Sequence, residues 1–407
     1  MSRLLLPAGV DPAALPLLLA RALRAFADGY VAVLLPAYLL ALGFGTLDVG
    51  ILSTSTLLGS ALATLLVGAW GHRFQTRNLL LGAALLMLTT GLAFAAQSAF
   101  WPLLLIAFAG TLNPSSGDVS VFLPLEHTRL ADAGQGAART ALFARYSLFG
   151  ALFAAFGALA AGIPEWLSTR YALPPLSALR AMFVLYGLIG AAVWLLYRRL
   201  PRAPAAAQST PTPLQASRGI VVRLAALFSL DAFAGGLVIN SLLALWLFQR
   251  FDLSLAAAGS FFFWAGLLSA ASQLAAPAVA RRIGLLNTMV FTHIPANVCL
   301  ILAALAPGIE LAIGLLFVRA LLSQMDVPTR SAFVMSVVTP GERAAAASFT
   351  AVPRSLAAAI SPTLGAALLA SGWLAAPLIA CGGLKIAYDL LLLRAFRRHA
   401  GGEEAKN

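Results

Sequence analysis

Apolar stretches of roughly twenty residues, parted by short polar breaks, run almost from end to end of this chain, and wound as α-helices they match the hydrocarbon thickness of a bilayer. Twelve spans are predicted, beginning near Leu17, Leu47, Leu79, Trp101, Ala138, Leu176, Gly219, Ser254, Leu285, Glu310, Ala344 and Trp373. The chain therefore reads as an all-α integral membrane protein that leaves no room for a soluble domain.

Composition gives the same answer independently. The chain is 60% hydrophobic and 10% charged, with a mean hydropathy of +0.89, whereas soluble domains carry about a quarter charged residues. The net charge of +12 is no sign of a nucleic-acid partner, because the basic residues fall in short loops between spans. With the N-terminus cytoplasmic, the inner loops hold Arg73 and Arg77, Arg129 and Arg139, Arg198 to Arg218, Arg281 and Arg282, and Arg343, and the tail holds Arg394, Arg397 and Arg398. The opposite loops offer Arg170, Arg180 and Arg250. Positive-inside bias thus places both termini in the cytoplasm of a cytoplasmic (inner) membrane protein. Asp11, Pro12 and Pro16 interrupt the apolar run Leu4 to Leu19, so it is expected to be retained, not cleaved as a signal. Cys299 and Cys381 sit inside apolar stretches and are expected to pack in the core.

Residues 200–218, LPRAPAAAQSTPTPLQASR, are too rich in Pro, Ala, Ser and Thr to pack or span. They are expected to be a cytoplasmic linker between a six-helix bundle at 1–199 and another at 219–396, with a tail at 397–407. The halves look related. GHRFQTRN at Gly71 faces ARRIGLLN at Ala280, 209 positions on, and Arg145 faces Arg354 at the same offset; Asp118-Val119 recurs as Asp326-Val327 after 208. A parallel duplication of six-helix units is a transporter architecture, with the binding site at the interface of the repeats around a central cavity.

Here the chain resembles the major facilitator superfamily, over essentially its whole length. The loop after the second span, Gly68-Ala-Trp-Gly-His72-Arg73-Phe-Gln75-Thr-Arg77, is similar to that family's signature loop: Gly68, Arg73 and Arg77 fit, while His72 and Gln75 replace its aspartate and glycine. His72, Arg73 and Arg77 are gating candidates by that resemblance. It further implies that spans 1, 4, 7 and 10, with 2, 5, 8 and 11, line the cavity, that 3, 6, 9 and 12 lie outside, and that the chain acts as a monomer. The Gly-Pro pair that the family's drug antiporters carry in span 5 is absent; Gly150, Gly157 and Gly162 are scattered there instead.

Ionisable side chains inside spans mark candidate chemistry, because burying one costs about 2.5–3.5 kcal/mol or more unless it faces a polar cavity or partner. They are Asp28 in span 1, Asp118 and Glu126 in span 4, Arg145 in span 5, Asp231 in span 7, Arg319, Asp326 and Arg330 in span 10, Arg354 in span 11, His293 in span 9, and Lys385 and Asp389 in span 12. Asp28 and Asp118 are the proton-coupling candidates. Arg145, Arg319 and Arg354 are candidates for holding an anionic or zwitterionic substrate. A structural reading stands beside each. Asp118 with Arg145 and Asp326 with Arg354 read equally as static ion pairs, Arg330 as a neutraliser of Asp326 one turn away, and Lys385 with Asp389 as a self-neutralising pair. Asp28 and Asp231 read as solvated helix-end charges, Glu126 as a partner of Arg129 or Arg139, and His293 as a hydrogen-bonded interface residue.

Asn113, Asn240, Gln273 and Gln324 are large polar groups, costly to hide, and are candidate substrate contacts. No clustered His/Cys pattern, nucleophile motif or phosphate loop points to an enzyme, a metal or a cofactor. The expectation is a secondary transporter of a small organic solute, proton-coupled, working by alternating access, with efflux marginally favoured over uptake. A multidrug/proton antiporter, a passive uniporter and a sensor on a transporter fold are the alternatives.

Overall fold

The computed structural model describes residues 6–115, 120–202 and 214–404. Among them, ten helices are long and apolar enough to cross a membrane by length and composition. The 27-residue helix Leu15–Ala41 and the broken span built from Phe100–Ala109 and Phe122–Asp132 bring the spans to twelve. Spans 2, 3, 5 and 6 are Thr46–Trp70, Thr76–Ala96, Gly136–Ala160 and Pro175–Tyr197. Span 7 is Arg218–Gly236 with Asn240–Phe251, and span 10 is Ile309–Ser323 with Asp326–Val337. Spans 8, 9, 11 and 12 are Leu255–Ile283, Leu285–Leu305, Arg343–Ala370 and Ala376–Glu404.

Three spans are interrupted, each for a reason visible in the chain. Span 4 stops at Ala109, ahead of Gly110 and the polar run Asn113-Pro114-Ser115, whose proline supplies no N–H. Span 7 breaks after Gly235-Gly236, a pair of poor helix formers. In span 10, Pro328 cannot donate to the carbonyl of Gln324, and the helix restarts at Asp326. Backbone freed in this way is tolerated at membrane depth where protein or a water-filled cavity satisfies it.

Packing repeats between the halves. Span 1 packs on span 5 and span 7 on span 11; span 3 packs on span 6 and span 9 on span 12. Across the halves, span 2 packs on span 11 and span 5 on span 8. These cross-half contacts cluster at the end of the molecule that carries the 42–45 loop, opposite the one that carries residues 71–75. There the Thr363 amide and hydroxyl both donate to Thr54 Oγ1, at 3.0 and 2.8 Å. Gln249 reaches Thr46 at 2.6 Å, and Glu165 accepts from the Ala256 amide at 2.9 Å. Gly50 permits the closest approach: a Cβ there would lie 2.2 Å from Ala366 Cβ and 2.9 Å from the Pro362 carbonyl. Small residues at such crossings let two membrane helices approach backbone to backbone.

Candidate functional site

A cavity of about 420 Å³ lies between the halves. Spans 1, 4 and 5 form one wall, through Arg21, Ser115, His127, Tyr146 and Ser147, and spans 7, 8 and 10 form the other, through Asn240, Ser269, Gln273, Arg319, Ser323 and Gln324. Spans 2 and 11 do not line it. They seal its closed end, which corrects their expected place among the lining helices. Gln273 Nε2 donates to Gln324 Oε1 at 3.3 Å, tying spans 8 and 10 together beside the lumen.

Of the sequence candidates for substrate contact, Asn240, Gln273, Arg319 and Gln324 meet at this cavity. Asn113, Arg145 and Arg354 do not. Asn113 is buried in the span 4 break, where its Oδ1 accepts from the Ser115 hydroxyl at 2.8 Å and its side chain bonds that of Asp28. Arg354 is exposed, on a helix outside the lining. Arg145 is half-buried one residue before the lining residue Tyr146. Asp118 lies outside the described residues. Among those described, the lining holds Arg21, Arg319 and His127 and no carboxylate. Arg319 makes no ion pair within that set, and its Nε has no hydrogen-bond partner.

Behind each wall stands a buried charge network, and the two have opposite polarity. In the first half the base is on span 1: Arg24 pairs with Glu126 of span 4, whose carboxylate also accepts from Tyr146 at 2.5 Å and from Tyr197 at 2.6 Å. The Arg24 guanidinium also lies over the Phe122 ring, 4.2 Å from its centroid. In the second half the acid is on span 7: Asp231 accepts from Arg330 of span 10 at 3.0 Å and from Lys385 of span 12 at 2.6 Å. Arg330 also pairs with Asp326 one turn before it.

Several expected partnerships give way here. Glu126 pairs with Arg24, not with Arg129 or Arg139, because span 4 turns it inward; Arg129 instead donates to the Pro201 carbonyl at 2.7 Å. Asp326 pairs with Arg330 on its own helix, leaving Arg354 without it. Asp231 is 3% exposed and so is no solvated helix end. Asp28 sits midway along span 1, not at its cytoplasmic end, with Arg21 and Arg24 on the same helical face. Lys385 and Asp389 are not paired: Lys385 goes to Asp231 and Asp389 to His293. Arg77 of the signature loop donates to the Arg198 carbonyl at 2.9 Å, capping span 6 within its own half. Arg73 is exposed, and the His72 side chain lies outside the description.

Sequence reasoning passed over Arg21 and Arg24. Both fall inside a span predicted from Leu17, so the rule that found Asp28 also applied to them.

Twelve spans, two repeated packing patterns and a polar cavity between them define a multi-pass membrane carrier architecture. The family model of the Major Facilitator Superfamily matches residues 17–325, and the chain belongs to that superfamily. It is 22% identical over 410 residues to the uncharacterized membrane protein YJR124C of Saccharomyces cerevisiae, covering 92% of each. It shares its fold with a bacterial homolog of the human lysosomal transporter Spinster, inward-facing and occupied, at a TM-score of 0.74 and 16% identity, covering 95% of this chain and 97% of that one. It likewise shares it with the human organic anion transporter MFSD10, at a TM-score of 0.65 and 19% identity, covering 93% and 98%.

Proposed function

We propose that this protein carries a small organic anion across the membrane by alternating access, coupled to protons. One observation supports the charge class above all: among the described residues the cavity wall holds two arginines and a histidine and no acid. Arg319, partly buried and with no ion pair among the described residues, is costly to hold so unless a ligand completes it, and a carboxylate or phosphate does so with two parallel hydrogen bonds. Asn240, Gln273, Gln324 and Ser323 then supply neutral hydrogen bonds to the remainder of the solute. A zwitterion would need a carboxylate for its amine, and the described wall offers none. At 19% identity the human organic anion transporter shares the fold alone, so the anion reading rests on the cavity.

The same arrangement supports a reading of direction and coupling. The cross-half contacts close one end, and the lining residues Arg21, His127 and Gln273 lie toward the other. With the basic loops cytoplasmic, that open end faces the cytoplasm, the side from which an efflux cycle loads, and we favour efflux marginally over uptake. Asp28, bonded to Asn113 and flanked by Arg21 and Arg24, is the first-half candidate for carrying a proton.

Proteoliposomes holding the purified protein, challenged with pools of organic anions, zwitterions and cationic drugs, test this reading. The anion pool is expected to move protons, with the response lost in Arg319→Gln while the protein stays folded by thermal melting. A response confined to the cationic pool sinks the anion assignment.

A further inference from the structure

His293 and Asp389 form a buried pair on spans 9 and 12, outside the cavity. They are 3% and 0% exposed, and His293 Nδ1 lies 3.0 Å from both carboxylate oxygens of Asp389. One turn before Asp389 on span 12 stands Lys385, which donates to Asp231 of span 7 at 2.6 Å. This places two carboxylates within reach of one lysine. Asp231 holds a second cation, Arg330 of span 10, at 3.0 Å; among the described residues Asp389 holds the imidazole alone.

Charge bookkeeping at that depth decides what each state needs. With the proton on the His293–Asp389 pair, the imidazolium neutralises Asp389, and Lys385 is free to serve Asp231. With the proton gone, Asp389 is a carboxylate in an almost water-free place beside a neutral ring, an arrangement that protein interiors do not leave uncompensated. The other groups facing the pair are already engaged or unsuited. Tyr388 presents its ring edge to His293 at 6.3 Å; Asp231 and Asp326 add negative charge; Arg330 is held between those two; and Arg354 of span 11 acts on the cluster from an exposed position. Lys385 alone is a mobile cation one turn away on the same helix face, and a lysine and an aspartate four apart pair readily.

We propose that the His293–Asp389 pair is a proton-binding site in the second half, and that loss of its proton transfers Lys385 from Asp231 to Asp389, releasing span 7 from span 12. The step is a proton leaving the imidazole for solvent and an ammonium exchanging carboxylate partners; no covalent bond other than N–H changes. Because span 7 carries Asn240 to the cavity, the exchange links a peripheral proton to the substrate wall. This inference rests on the proton-coupled reading given above.

Two measurements on the full chain test it without any substrate. In the variant H72Q/H127Q/H399Q, His293 is the sole imidazole, and its nitrogen-15 resonance reports whether the pair gains and loses a proton as pH is varied. Double-mutant cycles on the melting temperature then follow the lysine. The coupling of Lys385→Met with Asp231→Asn is expected below the His293 midpoint and lost above it, while the coupling of Lys385→Met with Asp389→Asn appears only above it. An imidazole whose protonation does not change with pH while the protein stays folded, or a Lys385–Asp231 coupling that is constant with pH, overturns the proposal. A wild-type protein that titrates as described yet shows no flux under a proton gradient overturns the coupled reading and removes the transport role of the switch.

Discussion

Lys385 crosses from span 12 to span 7 to bond Asp231 at 2.6 Å, passing over Asp389, which lies one turn along its own helix and bonds His293 instead. Helix geometry favours the local partner, and tertiary packing overrides it. Asp231, buried between span 7 and two cations, is the stronger demand on the lysine while the imidazole satisfies Asp389.

The first-half network predicts a large asymmetry between single and paired changes. Glu126→Ala leaves Arg24 as an uncompensated buried cation, so a loss of about 3–5 kcal/mol is expected, visible as reduced yield and a lowered melting temperature in detergent. Arg24→Met with Glu126→Leu should recover much of it. Equal instability of the single and double variants contradicts the pairing.

Tyr197 donates to the same carboxylate at 2.6 Å without touching the cavity. Tyr197→Phe is therefore expected to cost about 1.5–3 kcal/mol, the range for a hydrogen bond to a charged group, and to leave substrate affinity unchanged. Tyr146→Phe, which alters a residue that also lines the cavity, should weaken substrate binding as well. Matched binding curves for the two variants would count against this division of roles.

Glu342, in the loop between spans 10 and 11, accepts from the backbone amides of Gln215, Ala216 and Ser217 at 2.7, 3.0 and 2.8 Å, holding the chain at the start of span 7. Those bonds, led by the Gln215 amide, pull its pKa down to about 2. A carboxylate lowered on folding contributes stability above its unfolded value and loses it as pH falls through the folded one. Slow hydrogen exchange at these amides is thus expected to persist at pH 5 and to fail only on acidification toward about 2. Glu342→Gln should speed exchange there at pH 5 and above, with the difference from wild type vanishing toward about pH 2.

Gly50 predicts the response of the closed end. A valine there would meet Ala366 and the Pro362 carbonyl, so Gly50→Val should part spans 2 and 11 and populate the state open at that end. Thiol labelling of Thr54→Cys, in a chain with Cys299 and Cys381 replaced by serine, reads the opening. Accelerated labelling is expected, and unchanged labelling rules out the wedge.

The spans and their number were legible in the chain, because length and hydrophobicity fix what crosses a bilayer. Asn240, Gln273, Arg319 and Gln324 were legible too, as large polar groups in apolar surroundings that need somewhere to point. Partnership was not. Whether Glu126 meets Arg24 or Arg129, and whether Asp326 meets Arg330 or Arg354, depends on helix rotation and crossing, to which sequence spacing is blind. The sequence by itself determined which residues are costly to bury; only the tertiary structure decided which opposite charge, tyrosine or cavity relieves each of them, because that choice is made between helices far apart along the chain.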